Sequence, residues 1–198
     1  MKIITITGGS LYTNCYMAYA EDSATCVLID PGFDGEQILE KVRAQGKTVE
    51  AIFLTHGHFD HVGGVKEIVR QTGCKVYIHP ADRELPSRLT LGTVPFTDSY
   101  GEGDQLQMAG LTFQVLHTPG HTPGGVCLLC GDYMFSGDTL FAGTCGRTDL
   151  PGSSYKDMWA SLARLASLDK DYKVLPGHGE SSTLFMEKRL NPYLQGAK

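Results

Sequence analysis

The chain has 198 residues, 41% hydrophobic and 20% charged, with a formal net charge of -5. That size and balance fit one globular domain, residues 1–198, with enough apolar surface to build a core without covalent staples. The acidic balance and the lack of Lys/Arg runs argue against a nucleic-acid partner, and no apolar run approaches the ~20 residues of a membrane span.

Residues 2–7, 16–20 and 25–29 read as strands, separated by Gly8-Gly9-Ser10 and Glu21-Asp22-Ser23. The opening residues are too short for the apolar region of a signal peptide, so a cytoplasmic location and reduced thiols are expected for the six cysteines. Asp30 ends the third strand, either as a turn former or as a partner behind a metal ligand. Asp34 is suited to cap a helix over 35–45 that turns Ile38, Leu39 and Val42 to one face, with Gly46 as its stop. A strand over 50–54 then delivers the chain to Thr55-His56-Gly57-His58-Phe59-Asp60-His61. If this stretch stays extended, His56, His58 and Asp60 point one way and His61 the other. Such a segment is a poor core element and a good metal loop, because neutral imidazole and carboxylate suit zinc, iron or manganese without any thiol.

After Val62-Gly63-Gly64 a helix is expected with Val65, Ile68, Val69 and Thr72 inward and Gly73 at its end, then a strand over 75–79. Residues 80–103 are rich in Pro, Gly and polar side chains and support no more than a short helix and a loop over the site. Strands over 104–108 and 111–116 lead to His117-Thr118-Pro119-Gly120-His121-Thr122-Pro123-Gly124-Gly125. Pro119 and Gly120 prevent a helical pairing of His117 with His121, so His121 is the ligand candidate and His117 a structural residue. His79 is left over as a surface or core histidine.

Strands over 126–130 and 132–136 hand over to Asp138, again at a strand end. Cys127 and Cys130 form a nominal C-x-x-C, but in a strand residues i and i+3 face opposite sides, which argues against a redox pair. Ser154 with Asp157 resembles a capping box, opening a helix with Met158, Trp159, Leu162 and Leu165 inward. A strand over 172–175 ends in Pro176-Gly177-His178-Gly179, and a last helix over 183–190 stops at Asn191-Pro192. Alternating helices and strands predict an α/β fold, a four-layer αββα sandwich in which the strand ends carrying His or Asp converge on one edge. His56, His58, Asp60, His61, His121, Asp138 and His178 are then too many ligands for one tetrahedral ion and suit two, roughly 3.5–4 Å apart.

The set THGHFDH (55–61), PGHTPGG (119–125), GDTLFAG (137–143) and PGHG (176–179) resembles the metallo-β-lactamase superfamily and, within it, the glyoxalase II-type (hydroxyacylglutathione) hydrolases. The resemblance implies a dinuclear centre with His56, His58 and His121 on one ion, Asp60, His61 and His178 on the other, and Asp138 bridging. It implies two divalent ions, zinc foremost with iron or manganese as alternatives, and a small-molecule thioester such as S-lactoylglutathione as substrate. Hydroxide generated near neutral pH would attack the thioester carbonyl, with Asp60 orienting it as well as ligating. The thiol, with an unperturbed pKa near ~8.5, departs without a strong general acid, so no catalytic Ser, Cys or Lys is required. Arg147 matches the family position that contacts the glycyl carboxylate of glutathione; its plainer reading is an anchor for its own loop through Asp149. Full glyoxalase II enzymes carry a C-terminal helical domain, whereas this chain ends about twenty residues after His178, so a smaller or different thioester would also fit the resemblance.

Other branches fit less well. Secreted β-lactamases carry signal peptides, nuclease members are longer and more basic, and the oxygen-reducing flavoprotein relatives have Glu where His58 stands. The serious rival is the persulfide dioxygenases, which share Gly146-Arg147-Thr148-Asp149 and hold a single iron on the counterparts of His56, His121 and Asp138. Their final histidine usually lies outside a PGHG turn, so Pro176-Gly177-His178-Gly179 favours the hydrolase. A metal-dependent binding protein would leave open coordination positions unexplained.

Overall fold

The structure, a computed structural model, describes residues 1–90, 92–93 and 96–197. Its first sheet is built from β1 (Lys2–Gly8), β2 (Thr13–Tyr19), β3 (Thr25–Ile29), β4 (Thr48–Phe53), β5 (Lys75–Ile78) and β6 (Asp98–Ser99), in that order across the sheet. β1, β2 and β3 pair antiparallel, and β3 to β6 run parallel. Parallel neighbours need crossovers, supplied by α1 (Gly35–Ala44), by α2 (Phe59–Val62) with α3 (Val65–Thr72), and by a 3-10 helix (Pro80–Glu84) with α4 (Ser87–Thr90). The second sheet contains β7 (Gln105–Met108), β8 (Leu111–His117), β9 (Val126–Cys130) and β10 (Tyr133–Gly137), an antiparallel meander. Then come the small hairpin of β11 (Leu140–Phe141) with β12 (Thr144–Cys145), the helix α5 (Tyr155–Ala166), and β13 (Lys173–Pro176), which pairs parallel to β10. β14 (Ser182–Thr183) closes that edge, followed by α6 (Leu184–Leu190) and α7 (Pro192–Gly196).

Every residue of β2 and of β9 is buried, because both faces of each sheet are covered. Between the sheets, Phe53 meets Phe113 edge-on with ring centroids 5.1 Å apart, and Tyr16 meets Phe135 at 5.4 Å. α1 and α3 add Ile38, Val42, Val65 and Ile68 to that core, while α5 and α7 cover the far face of the second sheet through Met158, Leu162, Leu165 and Leu194. The four-layer αββα sandwich is therefore the observed architecture. Cys127 lies in the outer core and Cys130 in the central one, so the two thiols face opposite sides of β9. All six cysteines are free.

The caps form where the sequence places them: Asp34 accepts from the Gln37 N–H, Ser154 from the Asp157 N–H, and Gly73 ends α3 with φ 65°. Several expectations need correction. β2 starts at Thr13 rather than 16, because residues 13–15 continue the pairing with β1. Thr72 is exposed rather than inward and returns its hydroxyl to the Ile68 carbonyl at 2.8 Å. Trp159 is half-buried, its ring against Tyr155 and Gly196. The helix expected over 183–190 does stop at Asn191, but it is not the last: Asn191 also caps α7, and Pro192 sits in its first turn, where a missing N–H costs nothing. Of segment 80–103, positions 91, 94 and 95 lie outside the described residues. Among the described residues, no helix is long and apolar enough to cross a membrane.

Candidate metal centre

The C-terminal ends of β4, β8, β10 and β13 open on one edge, where the two sheets are tied by the Val126 N–H on the Thr55 carbonyl (2.9 Å) and the Asn14 N–H on the Gly177 carbonyl (2.8 Å). Past β4 the chain stays buried through Leu54, Thr55 and His56 to His58. There the extended reading fails: Phe59–Val62 is a helical turn with His58 at its N-cap. The turn brings His61 back under His56, ring centroids 4.0 Å apart, instead of pointing it away. This tight fold requires glycine in the loop after β3, since a Cβ on Gly32 would strike the Asp60 carbonyl.

Two triads result. His56, His58 and His121 form the first, with His58 Nδ1 2.9 Å from His121 Nε2. Asp60, His61 and His178 form the second, with His178 Nε2 3.1 Å from Asp60 Oδ2 and 3.4 Å from His61 Nε2. Asp138 lies between them, its Oδ2 3.4 Å from His121 Nε2 and its Oδ1 3.4 Å from His61 Nε2. All seven sequence-derived ligand candidates therefore meet in one cluster.

The unused ring nitrogens are held from behind. His61 Nδ1 lies 3.0 Å from Asp30 Oδ2, His121 Nδ1 2.9 Å from the Arg147 carbonyl, and His178 Nδ1 3.1 Å from the Leu11 carbonyl. Asp30 also accepts the Thr55 N–H at 2.7 Å and the Thr55 hydroxyl at 2.6 Å, which resolves its open reading in favour of a partner behind the ligands. Each bond leaves the other ring nitrogen facing the cluster.

Electrostatics separates the triads. Burial, then the neighbouring imidazoles, push His56 well below its ordinary value and His58 down to about 3, so both present neutral lone pairs. Burial acts the same way on His61, but Asp138, Asp30 and Asp60 outweigh it and raise that imidazole to about 9. Asp60, against the pull of its own burial, is held near about 2 by His178 and His61.

A cation fits this cluster. His56 Nε2 and Asp138 Oδ1 are buried with no hydrogen-bond partner, and the donor set is imidazole and carboxylate throughout.

The sequence reading missed Asp82. From the 3-10 helix its buried carboxylate accepts the Gly57 N–H at 2.8 Å and the Gly124 N–H at 2.5 Å, clasping both histidine loops of the first triad. Burial raises its pKa. Its only sequence signal is a carboxylate just past a strand end, in a segment that otherwise reads as loop. His117 Nε2 donates to the Pro123 carbonyl (2.9 Å), and the ring stacks on His79 at 4.2 Å, away from the cluster. Arg147 lines the cavity above the cluster, with its Nε and Nη2 donating to Asp149 at 2.6 and 2.7 Å.

Comparison with known proteins places these observations. A family model described as "Metallo-beta-lactamase superfamily" matches residues 8–178. The chain is 31% identical to the hydroxyacylglutathione hydrolase GloC of Haemophilus influenzae, over 98% of this chain and 97% of that protein. Among solved structures, the BLEG-1 B3 metallo-beta-lactamase superposes with a TM-score of 0.89 at 34% identity, covering 98% of this chain and 100% of that one. The protein TTHA1623, solved in a di-iron-bound form, is 40% identical with a TM-score of 0.84, covering 96% of this chain and 99% of that one.

Proposed function

This chain belongs to the metallo-beta-lactamase superfamily, a family of metal-dependent hydrolases, and from that premise we propose that it hydrolyses small-molecule thioesters, the class that includes S-lactoylglutathione. The observation that supports the reading is the second triad: His178 and Asp60 stand beside His61, so the donor set has enough ligands for a second ion. His56, His58 and His121 would hold one ion, Asp60, His61 and His178 the other, and Asp138 would touch both. Two divalent ions there, zinc foremost with iron or manganese accommodated, would supply hydroxide near neutral pH and a Lewis acid for a carbonyl oxygen.

The chain's own residues do the rest. Asp60, held ionised, is placed to accept a hydrogen bond from the attacking oxygen and orient it. Asp30, the Arg147 carbonyl and the Leu11 carbonyl fix the ring orientations, so the site is organised before substrate arrives. Hydrolysis adds water across the thioester: a C–O bond forms, the C–S bond breaks, and its electron pair leaves on sulfur. Support from likeness comes from the hydroxyacylglutathione hydrolase of Haemophilus influenzae.

The test is His178→Ala. The expected result is loss of one metal equivalent and of most thioester hydrolysis. Full activity with both metals retained would sink the reading, and oxygen uptake with a persulfide by a one-iron protein would replace it with the dioxygenase.

A further inference from the structure

The cavity over the two triads has a volume of about 570 Å³. Beyond the ligands, its walls include Leu11, Phe59, Leu89, Phe141 and Leu150. Two of these stand directly at the second triad: the Leu11 carbonyl holds His178, and the Phe141 ring lies edge-on to His178 with centroids 6.3 Å apart. Leu11 is 49% exposed, an apolar side chain left uncovered at the site.

Apart from the histidines, Arg147 is the one cation among the described lining residues. Its fork is already filled by Asp149 in a two-bond pairing. A substrate carboxylate binding there must displace Asp149, exchanging one carboxylate for another on the same fork. Asp149 then stands beside the substrate as a like charge, so the net gain of such an exposed exchange is small. A glutathione thioester brings two carboxylates to this wall. An apolar arm instead covers side chains that water now wets, a gain that needs no displaced partner.

We infer that the site takes thioesters whose non-reacting arm is an apolar acyl or alkyl chain, in preference to glutathione thioesters. The inference rests on the thioester reading for the bond that is cleaved, and on the wall for the arm. With an acyl chain as the arm, water adds to the carbonyl carbon, the C–S bond breaks, and a carboxylic acid and a thiol leave.

The experiment compares hydrolysis of S-hexanoyl-N-acetylcysteamine with that of S-lactoylglutathione by the metal-loaded protein. Beside it, calorimetry measures binding of two uncleavable thioethers, S-hexyl-N-acetylcysteamine and S-methylglutathione. The expected result is a kcat/KM at least about tenfold higher for the hexanoyl ester and binding about tenfold tighter for the hexyl thioether. Leu11→Ser and Phe141→Ser should each weaken the hexyl thioether several-fold. Asp149→Asn should strengthen S-methylglutathione, because it frees the Arg147 fork. Equal or better use of S-lactoylglutathione, or equal or tighter S-methylglutathione binding, overturns the inference and leaves the thioester reading standing. Cleavage of neither ester, with the hexyl thioether still bound tighter, removes the thioester reading and upholds the preference for an apolar arm. Binding of neither thioether overturns the inference itself.

Discussion

Asp82 and Gly177 show how narrowly single residues define the centre. The Asp82 carboxylate serves two backbone donors at once, one beside each histidine loop of the first triad. An asparagine offers one acceptor and one donor group in the same space, so Asp82→Asn sets an amide hydrogen against one of the two N–H groups. The expected cost is about 1–3 kcal/mol of folding stability, with metal affinity at the first triad weakened roughly tenfold or more. Urea unfolding and metal titration measure both; a variant that matches the parent in each would mean the loops are held by other contacts. Gly177 makes the opposite point, since its missing side chain is what matters. A Cβ there would collide with Asp138 Oδ1 and His61 Cε1, two atoms of candidate ligands. Gly177→Ala is therefore expected to keep its circular-dichroism spectrum and lose most of the metal held by the second triad.

At the scale of elements, β2 reaches across from the first sheet to grip the turn that follows β13 in the second. The Asn14 amide donates to the Pro176 carbonyl at 3.1 Å and the Gly179 carbonyl at 3.0 Å, and the Tyr16 hydroxyl donates to the Pro176 carbonyl at 2.7 Å. Asn14→Ala removes two of those bonds from buried or half-buried carbonyls, at an expected cost of about 1–3 kcal/mol. His178 rides on that turn, so the variant should also bind its second metal more weakly, while the first triad is unaffected. Stability by chemical denaturation and stepwise metal titration separate the two effects.

What was legible in the chain divides along similar lines. Elements with a strong period, such as α1 with Ile38, Leu39 and Val42, or with a strong cap, such as Ser154 before α5, form within a few residues of where the pattern places them. The seven ligand candidates were legible because each sits beside a strand end in a Gly-rich loop. The local geometry was not. A four-residue turn at 59–62 has too few residues to show a period, yet it decides where His61 points. Asp82 is tied to Gly57 and Gly124, 25 and 42 positions away, and nothing local marks such a contact. Pro192 begins a helix as readily as it ends one, so α7 was hidden behind a residue read as a stop.

Across the whole molecule, the centre joins the two sheets. His56, His58, Asp60 and His61 follow β4 of the first, while His121, Asp138 and His178 follow β8, β10 and β13 of the second. Ions bound at both triads would link the sheets in the folded state alone, and such binding stabilises by mass action, about 2.7 kcal/mol per site at a hundredfold excess over Kd. Removing metal with a chelator should therefore lower Tm by several degrees, and readdition should restore it. The same arrangement leaves Leu11 and Phe141 lining the cavity beside the second triad.

The most direct measurement is elemental analysis of the purified protein beside its rate of thioester hydrolysis. The paired triads predict close to two divalent metals per chain and turnover that falls as the second metal is withdrawn. One iron per chain, with oxygen consumed in the presence of a persulfide and no thioester cleaved, would contradict the account.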